Sequence, residues 1–184
     1  LGFPPTPPRD SKGVKCNLCV NECVIPEGGM GFCGIIVNRD GKLQHRMGVD
    51  NALAYTYLDP HPTNCVATPV CPAVTSEGYP NYTKTLDVER GYYNLAVFFA
   101  GCNLDCLFCQ NWEHKTTLSE IIREGKMRSR SIRIMNVNDV VHEALDNEVT
   151  CICYFGGDPG PHITFALRAS KKLLEIAKEK DLVK

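Results

Sequence analysis

The stretch Asn94–Trp112, NLAVFFAGCNLDCLFCQNW, decides how this chain is read. Asn94–Ala100 is apolar on both faces of an extended segment, which fits a strand buried on both sides within a parallel sheet. Gly101 ends the strand. Three cysteines follow at once, Cys102, Cys106 and Cys109, spaced C-x₃-C-x₂-C.

Downstream, Thr150–Phe155 (TCICYF) reads as a second buried strand, closed by the turn Gly156-Gly157-Asp158-Pro159-Gly160-Pro161. Between the two strands the sequence predicts a helix near 118–126 and another over 137–145, with Asn138 as its N-cap. A third helix is expected from about 162 to 180, with Phe165, Leu167, Leu173, Leu174 and Ile176 among its apolar positions. Asp181–Lys184 reads as the approach to a third strand. Strands alternating with helices imply an α/β chain with a parallel sheet. Two strands close no barrel, so a C-terminal part is expected beyond residue 184. The other reading is a complete small α/β domain.

Upstream, residues 1–13 are Pro-rich and read as an extended arm, and residues 14–50 as a small Cys-rich module. Within the module Ile35-Ile36-Val37, the turn Asn38-Arg39-Asp40-Gly41 and Leu43 onward read as a hairpin. Prolines at 60, 62, 69, 72 and 80 mark 51–91 as an irregular connector. The barrel-forming part is read as 92–184.

Eleven cysteines are many for 184 residues, and they are clustered. The stretch LGFPPTPPRD lacks the basic region and apolar core of a signal peptide, so metal ligation is favoured over a disulfide scaffold and a cytoplasmic location is expected. A net charge of −1 gives no case for nucleic acid, and no apolar run is long enough to span a membrane.

Four thiolates close a [4Fe–4S] cluster. Three within eight residues, on a loop leaving a strand, leave one iron without a local protein ligand. An open coordination position lets a metal centre bind substrate. The other reading is a closed zinc or iron–sulfur site with its fourth ligand elsewhere. Cys16, Cys19, Cys23 and Cys33 supply four more thiolates within eighteen residues, suited to Zn²⁺, a single Fe or a closed cluster. A structural metal is expected there, with an auxiliary electron-transfer cluster as the alternative.

With Phe98-Phe99-Ala100-Gly101 before it, the cysteine motif resembles the radical S-adenosylmethionine (SAM) superfamily. Gly101–Trp112 and the N-terminal module resemble its pyruvate formate-lyase-activating-enzyme-like branch, over roughly residues 14–47 and 92–170. The resemblance implies a partial (β/α)₆ TIM-like barrel. It also implies a [4Fe–4S] cluster on Cys102, Cys106 and Cys109 whose open iron chelates SAM. Reduction then cleaves the sulfonium, giving methionine and a 5′-deoxyadenosyl radical that abstracts hydrogen. Phe108 matches the family's aromatic position, whose surroundings contact adenine. Gly156-Gly157-Asp158-Pro159 resembles the Gly-Gly-Glu-Pro motif that receives the SAM amino group, with glycines that let a ligand approach the backbone. Asp158 replaces the usual Glu and is one methylene shorter. An electron donor such as a ferredoxin or flavodoxin is implied, and so is a protein substrate activated at a glycine. Modification of a small molecule or peptide stays open, because the extra cysteines lie before the barrel region rather than within it.

Cys65, Cys71, Cys151 and Cys153 read as ligands or as buried small hydrophobes, with packing favoured for the last two. Asn111, Trp112 and His114 line a substrate entrance or cap the loop. His162 is expected to face solvent, and His45, His61 and His142 have no partner visible in the sequence. The charged stretch Arg123–Arg133 reads as solvated surface. A non-catalytic iron–sulfur or zinc protein, serving electron transfer or assembly, is the competing function.

Overall fold

The computed structural model describes residues 2–65, 67–75, 82–125 and 131–184. In chain order its elements are β1 (Val14–Lys15), β2 (Val24–Ile25), β3 (Ile36–Arg39), β4 (Lys42–His45), β5 (Asn51–Pro60), β6 (Tyr93–Phe99), α1 (Glu113–Glu124), β7 (Arg133–Asn136), α2 (Val137–Ala144), β8 (Val149–Tyr154) and α3 (Ile163–Glu179). β1 pairs with β2 and β3 with β4, both antiparallel. The other four strands form one sheet in the order β7-β5-β6-β8.

The expected strand at 94–100 is β6, and its residues from Asn94 to Val97 and Phe99 are buried. β6 and β8 run parallel. Tyr93 N–H donates to the Glu148 carbonyl at one end and Phe99 N–H to the Gly156 carbonyl at the other. β5 runs antiparallel to β6, since His61 N–H donates to Tyr92 O and Ala100 N–H to Leu53 O. The sheet is therefore mixed, where an all-parallel one is expected. The expected connector at 51–91 also needs correction, because it opens with the ten-residue strand β5. The prolines start only at Pro60, where that strand ends, so NALAYTYLD ahead of it is free to pair. Pro80 of that series lies outside the described residues.

The helices shift from their expected bounds. α1 begins at Glu113, directly behind the cysteine loop, and closes on Gly125. The N-cap of α2 is Asn136 rather than Asn138. The Asn136 side chain accepts from Asn138 N–H at 3.0 Å, while Asp139 accepts from Asn136 N–H at 2.7 Å. This reciprocal box lies one step before the apolar stripe Val137, Val140, Val141 and Ala144 and sets the start of the helix. In α3 the buried stripe is Phe165, Ala169, Leu173 and Ala177, every fourth residue, while Leu167 and Leu174 are exposed. Asp181–Lys184 form no strand. Residues 126–130 of the charged stretch lie outside the described residues.

The chain divides into two compact units. One comprises Leu1–Tyr55, Phe98–Met135 and Tyr154–Ala166, and the other comprises Thr56–Val97, Asn136–Cys153 and Leu167–Lys184. The first unit has a core of Ile25, Ile35, Ile36, Leu53, Ala100, Leu118 and Ile132 together with Cys16, Cys23 and Cys33, and Phe3 packs on it. The N-terminal arm is pinned there by Val24 N–H donating to Pro8 O and Asp10 N–H to Val24 O. The hairpin turns at Asp40–Gly41, where Glu27 accepts both backbone N–H groups. The second unit is built round Leu95–Val97, Val140, Val149 and Leu173. Among the described residues no helix is long and apolar enough to cross a membrane.

Candidate functional site

β6 delivers the cysteine loop and β8 delivers the Gly156–Pro159 turn. The Phe99 to Gly156 hydrogen bond, 2.7 Å, sets the two carboxyl ends side by side. Ligands of α/β sheets bind outside such strand ends. Here a cavity of about 490 Å³ is lined by Cys102, Cys106, Cys109 and the whole of Gly156-Gly157-Asp158-Pro159. Asn111, Trp112, His114 and Lys115 complete one wall, and Tyr154 and Phe155 another. Its size suits a cofactor-sized ligand.

The three thiols differ in exposure. Cys102 is buried, Cys109 half-buried and Cys106 exposed. Burial pushes the Cys102 thiol up, while the backbone N–H groups of Asp158 and Leu104 and the Lys115 ammonium pull it down again. Those N–H groups donate to its sulfur at 3.2 and 3.4 Å. Donors aimed at sulfur favour the thiolate, the form that binds metal. Among the described residues no other cysteine lines this cavity, and no group of three or more His, Cys, Asp or Glu side chains stands ready-arranged to hold a metal ion.

The two glycines have a packing reason. A Cβ on Gly156 would lie 2.0 Å from the Phe98 ring, and one on Gly157 would lie 2.5 Å from Phe99 O and 2.6 Å from Gly101 O. Their bareness lets the turn press against the end of β6, rather than only admitting a ligand. Asp158 Oδ1 accepts from Gly160 N–H at 2.8 Å, which stiffens the turn. Phe108 is 87% exposed and is not part of the cavity wall.

Beneath the loop lies a feature the sequence did not disclose. His162 is fully buried, stacked on Phe99 with ring centroids 4.5 Å apart. Its Nε2 donates to the Ala100 carbonyl at 3.0 Å, so its Nδ1 is an acceptor and takes the Nε2–H of His45, also at 3.0 Å. His45 Nδ1 in turn accepts from Met47 N–H at 3.1 Å. Each imidazole must be neutral for this chain of donors to hold. Burial, then the neighbouring His45, pushes His162 down to about 3, and burial also lowers His45. The expectation of a solvent-facing His162 and a partnerless His45 is thus corrected; 117 residues separate them in sequence. Lys115 was also missed. It is bound to Asp105 at 3.0 Å and lies over the Phe32 ring, 4.6 Å from its centroid.

The N-terminal cysteines occupy different surroundings. Cys16, Cys19, Cys23 and Cys33 all line one small cavity of about 10 Å³, together with Asn103 of the cysteine loop. Asn21 Nδ2 donates to Asn103 O at 2.6 Å. Burial, more than its neighbours, pushes Cys33 up to about 11, and burial also raises Cys16.

With this geometry in place, comparison with known families bears on the C-terminal part of the chain. Residues 96–182 match the Radical SAM superfamily. That Radical SAM match begins inside β6, takes in the cysteine loop and the Gly156–Pro159 turn, and supports the superfamily. Among curated proteins, the chain is 27% identical over 103 residues to an uncharacterized protein, MJ0808, of Methanocaldococcus jannaschii. The aligned part covers 56% of this chain and 25% of that relative. No solved structure matches.

Proposed function

We propose that this chain is a radical SAM enzyme, or part of one, with Cys102, Cys106 and Cys109 as ligands of a [4Fe–4S] cluster. One observation carries the reading: the three cysteines and Gly156–Pro159 line a single cavity at the ends of adjacent parallel strands, and among the described residues no fourth cysteine lies in its wall. When bound, the cluster and SAM together supply a 5′-deoxyadenosyl radical for hydrogen abstraction. The protein's own part is to hold and orient. Cys102 is fixed by two backbone donors, and Lys115 offsets the added negative charge. Gly156, Gly157, Asp158 and Pro159 shape the floor for the amino acid end of SAM, and Trp112 in the cavity wall offers an aromatic face to adenine.

The wider reading belongs to the same proposal. Residues 92–184 form the front of a partial (β/α)₆ barrel, and residues 14–50 form a module whose Cys16, Cys19, Cys23 and Cys33 hold a second metal. The small size of that module's cavity favours a single ion over a larger cluster. A ferredoxin or flavodoxin supplies electrons in the cytoplasm, and a protein or peptide, including a glycyl-radical partner, is the substrate.

The test is anaerobic. The complete polypeptide is reconstituted with iron and sulfide, then given dithionite and SAM, and 5′-deoxyadenosine is measured. Product that vanishes with Cys102→Ala supports the proposal. A reconstituted parent protein that makes none favours the non-catalytic iron–sulfur reading.

A further inference from the structure

The second compact unit holds four cysteines that the cavity chemistry does not use. Cys65 and Cys71 sit in the chain after β5. Cys151 and Cys153, two apart on β8, project from the same face. All four thiols are free and half-buried. Buried cysteines mostly pack as small hydrophobes, but these gather round polar groups. Cys153, and then burial, push the Cys151 thiol up, and burial, then Cys71 and Cys153, push up Cys65; Cys71 also raises Cys151. His61 stands among them, its Nδ1 3.5 Å from Cys65 Sγ and its Nε2 3.9 Å from Cys151 Sγ.

The hydrogen bonds fix the tautomer of His61. The Thr150 hydroxyl donates its one proton to Glu89 at 2.5 Å, so Thr150 Oγ1 must accept from His61 Nε2–H at 3.1 Å. With that proton on Nε2, Nδ1 is the ring nitrogen that faces Cys65 Sγ. Glu89 and Asp59, 1% and 2% exposed, place two carboxylates in the same surroundings. Thiols gathered beside a buried histidine make a donor set that suits a soft cation and gives aliphatic packing little to hold.

We propose that Cys65, Cys71, Cys151 and Cys153 form a further thiolate metal centre, with His61 orienting Cys65. Four thiolates select a thiophilic centre, Zn²⁺, Fe²⁺ or an iron–sulfur cluster, over hard cations. The thiols are not pre-closed round a point, and the same holds for Cys102, Cys106 and Cys109. Metal binding draws in the chain carrying Cys65 and Cys71 toward the fixed pair on β8.

The experiment is metal stoichiometry on the full chain, reconstituted anaerobically, with zinc, iron and acid-labile sulfide measured per polypeptide. Cys71→Ser combined with Cys153→Ser lowers the content by one ion, or by one cluster with its sulfide. Metal content equal to the parent's overturns the proposal. Differential alkylation of the parent chain guards against a variant that fails to fold. The four thiols are protected while metal is bound and become modified after chelation. Equal reactivity in both states, or a lone fast-reacting Cys65, overturns the metal centre. Neither readout depends on 5′-deoxyadenosine, so this proposal and the radical SAM reading fail separately.

Discussion

Two groups of cysteines in the first compact unit lie side by side in opposite surroundings. Cys16, Cys23 and Cys33 are buried in a core with Ile25, Ile35 and Leu118, and the space among them is about 10 Å³. Cys102, Cys106 and Cys109 run from buried to exposed along the wall of a cavity of about 490 Å³. The same side chain thus sits in two settings. A buried set of thiols suits a metal that braces the fold, and an open set suits one that meets a substrate. Exposure, more than spacing, separates the two.

The sharpest way to break this comparison is a pair of substitutions. Cys106→Ala should abolish 5′-deoxyadenosine formation, yet leave the unfolding midpoint of the metal-free protein within about 0.5 kcal/mol, as for other exposed positions. Cys33→Ala should cost at least about 2 kcal/mol, because it opens a buried site and removes a ligand. A Cys33→Ala protein that folds normally but cannot turn over would move the N-terminal set to the redox side.

Next in size is Gly156→Ala. A methyl 2.0 Å from the Phe98 ring must push the turn away from β6, at a cost of about 1–3 kcal/mol. Both chemical denaturation and SAM affinity should register it. If stability holds and only affinity falls, the glycine serves the ligand alone.

The histidine chain gives a pH dependence. His162 is held near 3 against about 6.5 for a free imidazole. Between those values the unfolded chain binds a proton that the folded chain refuses. Stability is therefore full above about pH 6.5 and falls as pH drops toward 3, by up to about 1.4 kcal/mol per pH unit for this one site. His45 acts in the same direction. Urea midpoints at about pH 7 and about pH 5 should differ, and the difference should shrink in His162→Asn. The smallest effect is Asn136→Ala, which removes the α2 cap for about 1 kcal/mol and leaves SAM cleavage unchanged. Lost cleavage there would tie the second unit to the chemistry.

Two of the sheet's four strands, β6 and β8, were legible because their signal is local. Leu95–Ala100 is apolar at every position, and the turn residues behind β8 announce themselves. β5 was hidden by its neighbours: Tyr55, Thr56 and Tyr57 are strand formers, but the prolines that follow coloured the whole region. β7 has only four residues, too few to show a period. The cap of α2 was misplaced by two residues because Asn136 and Asn138 are both good caps, and only the partner Asp139 chooses between them. In the site, the thiols and the Gly-Gly turn were readable from spacing. The His45–His162 pairing was not, because no periodicity links residues so far apart. The packing need for Gly156 was equally hidden, since it depends on which way Phe98 faces.

The contact of Gly101 with Ile35 and Leu118, and the bond from His162 to Ala100, bear on how this protein can be dissected. Expressing the motif-bearing stretch from residue 92 onward as a minimal fragment would strip Ile35 from the loop hinge and His45 from its buried acceptor. The fragment would present raw apolar surface directly under the cysteine loop. Where the recognisable motif begins is therefore a poor place to cut.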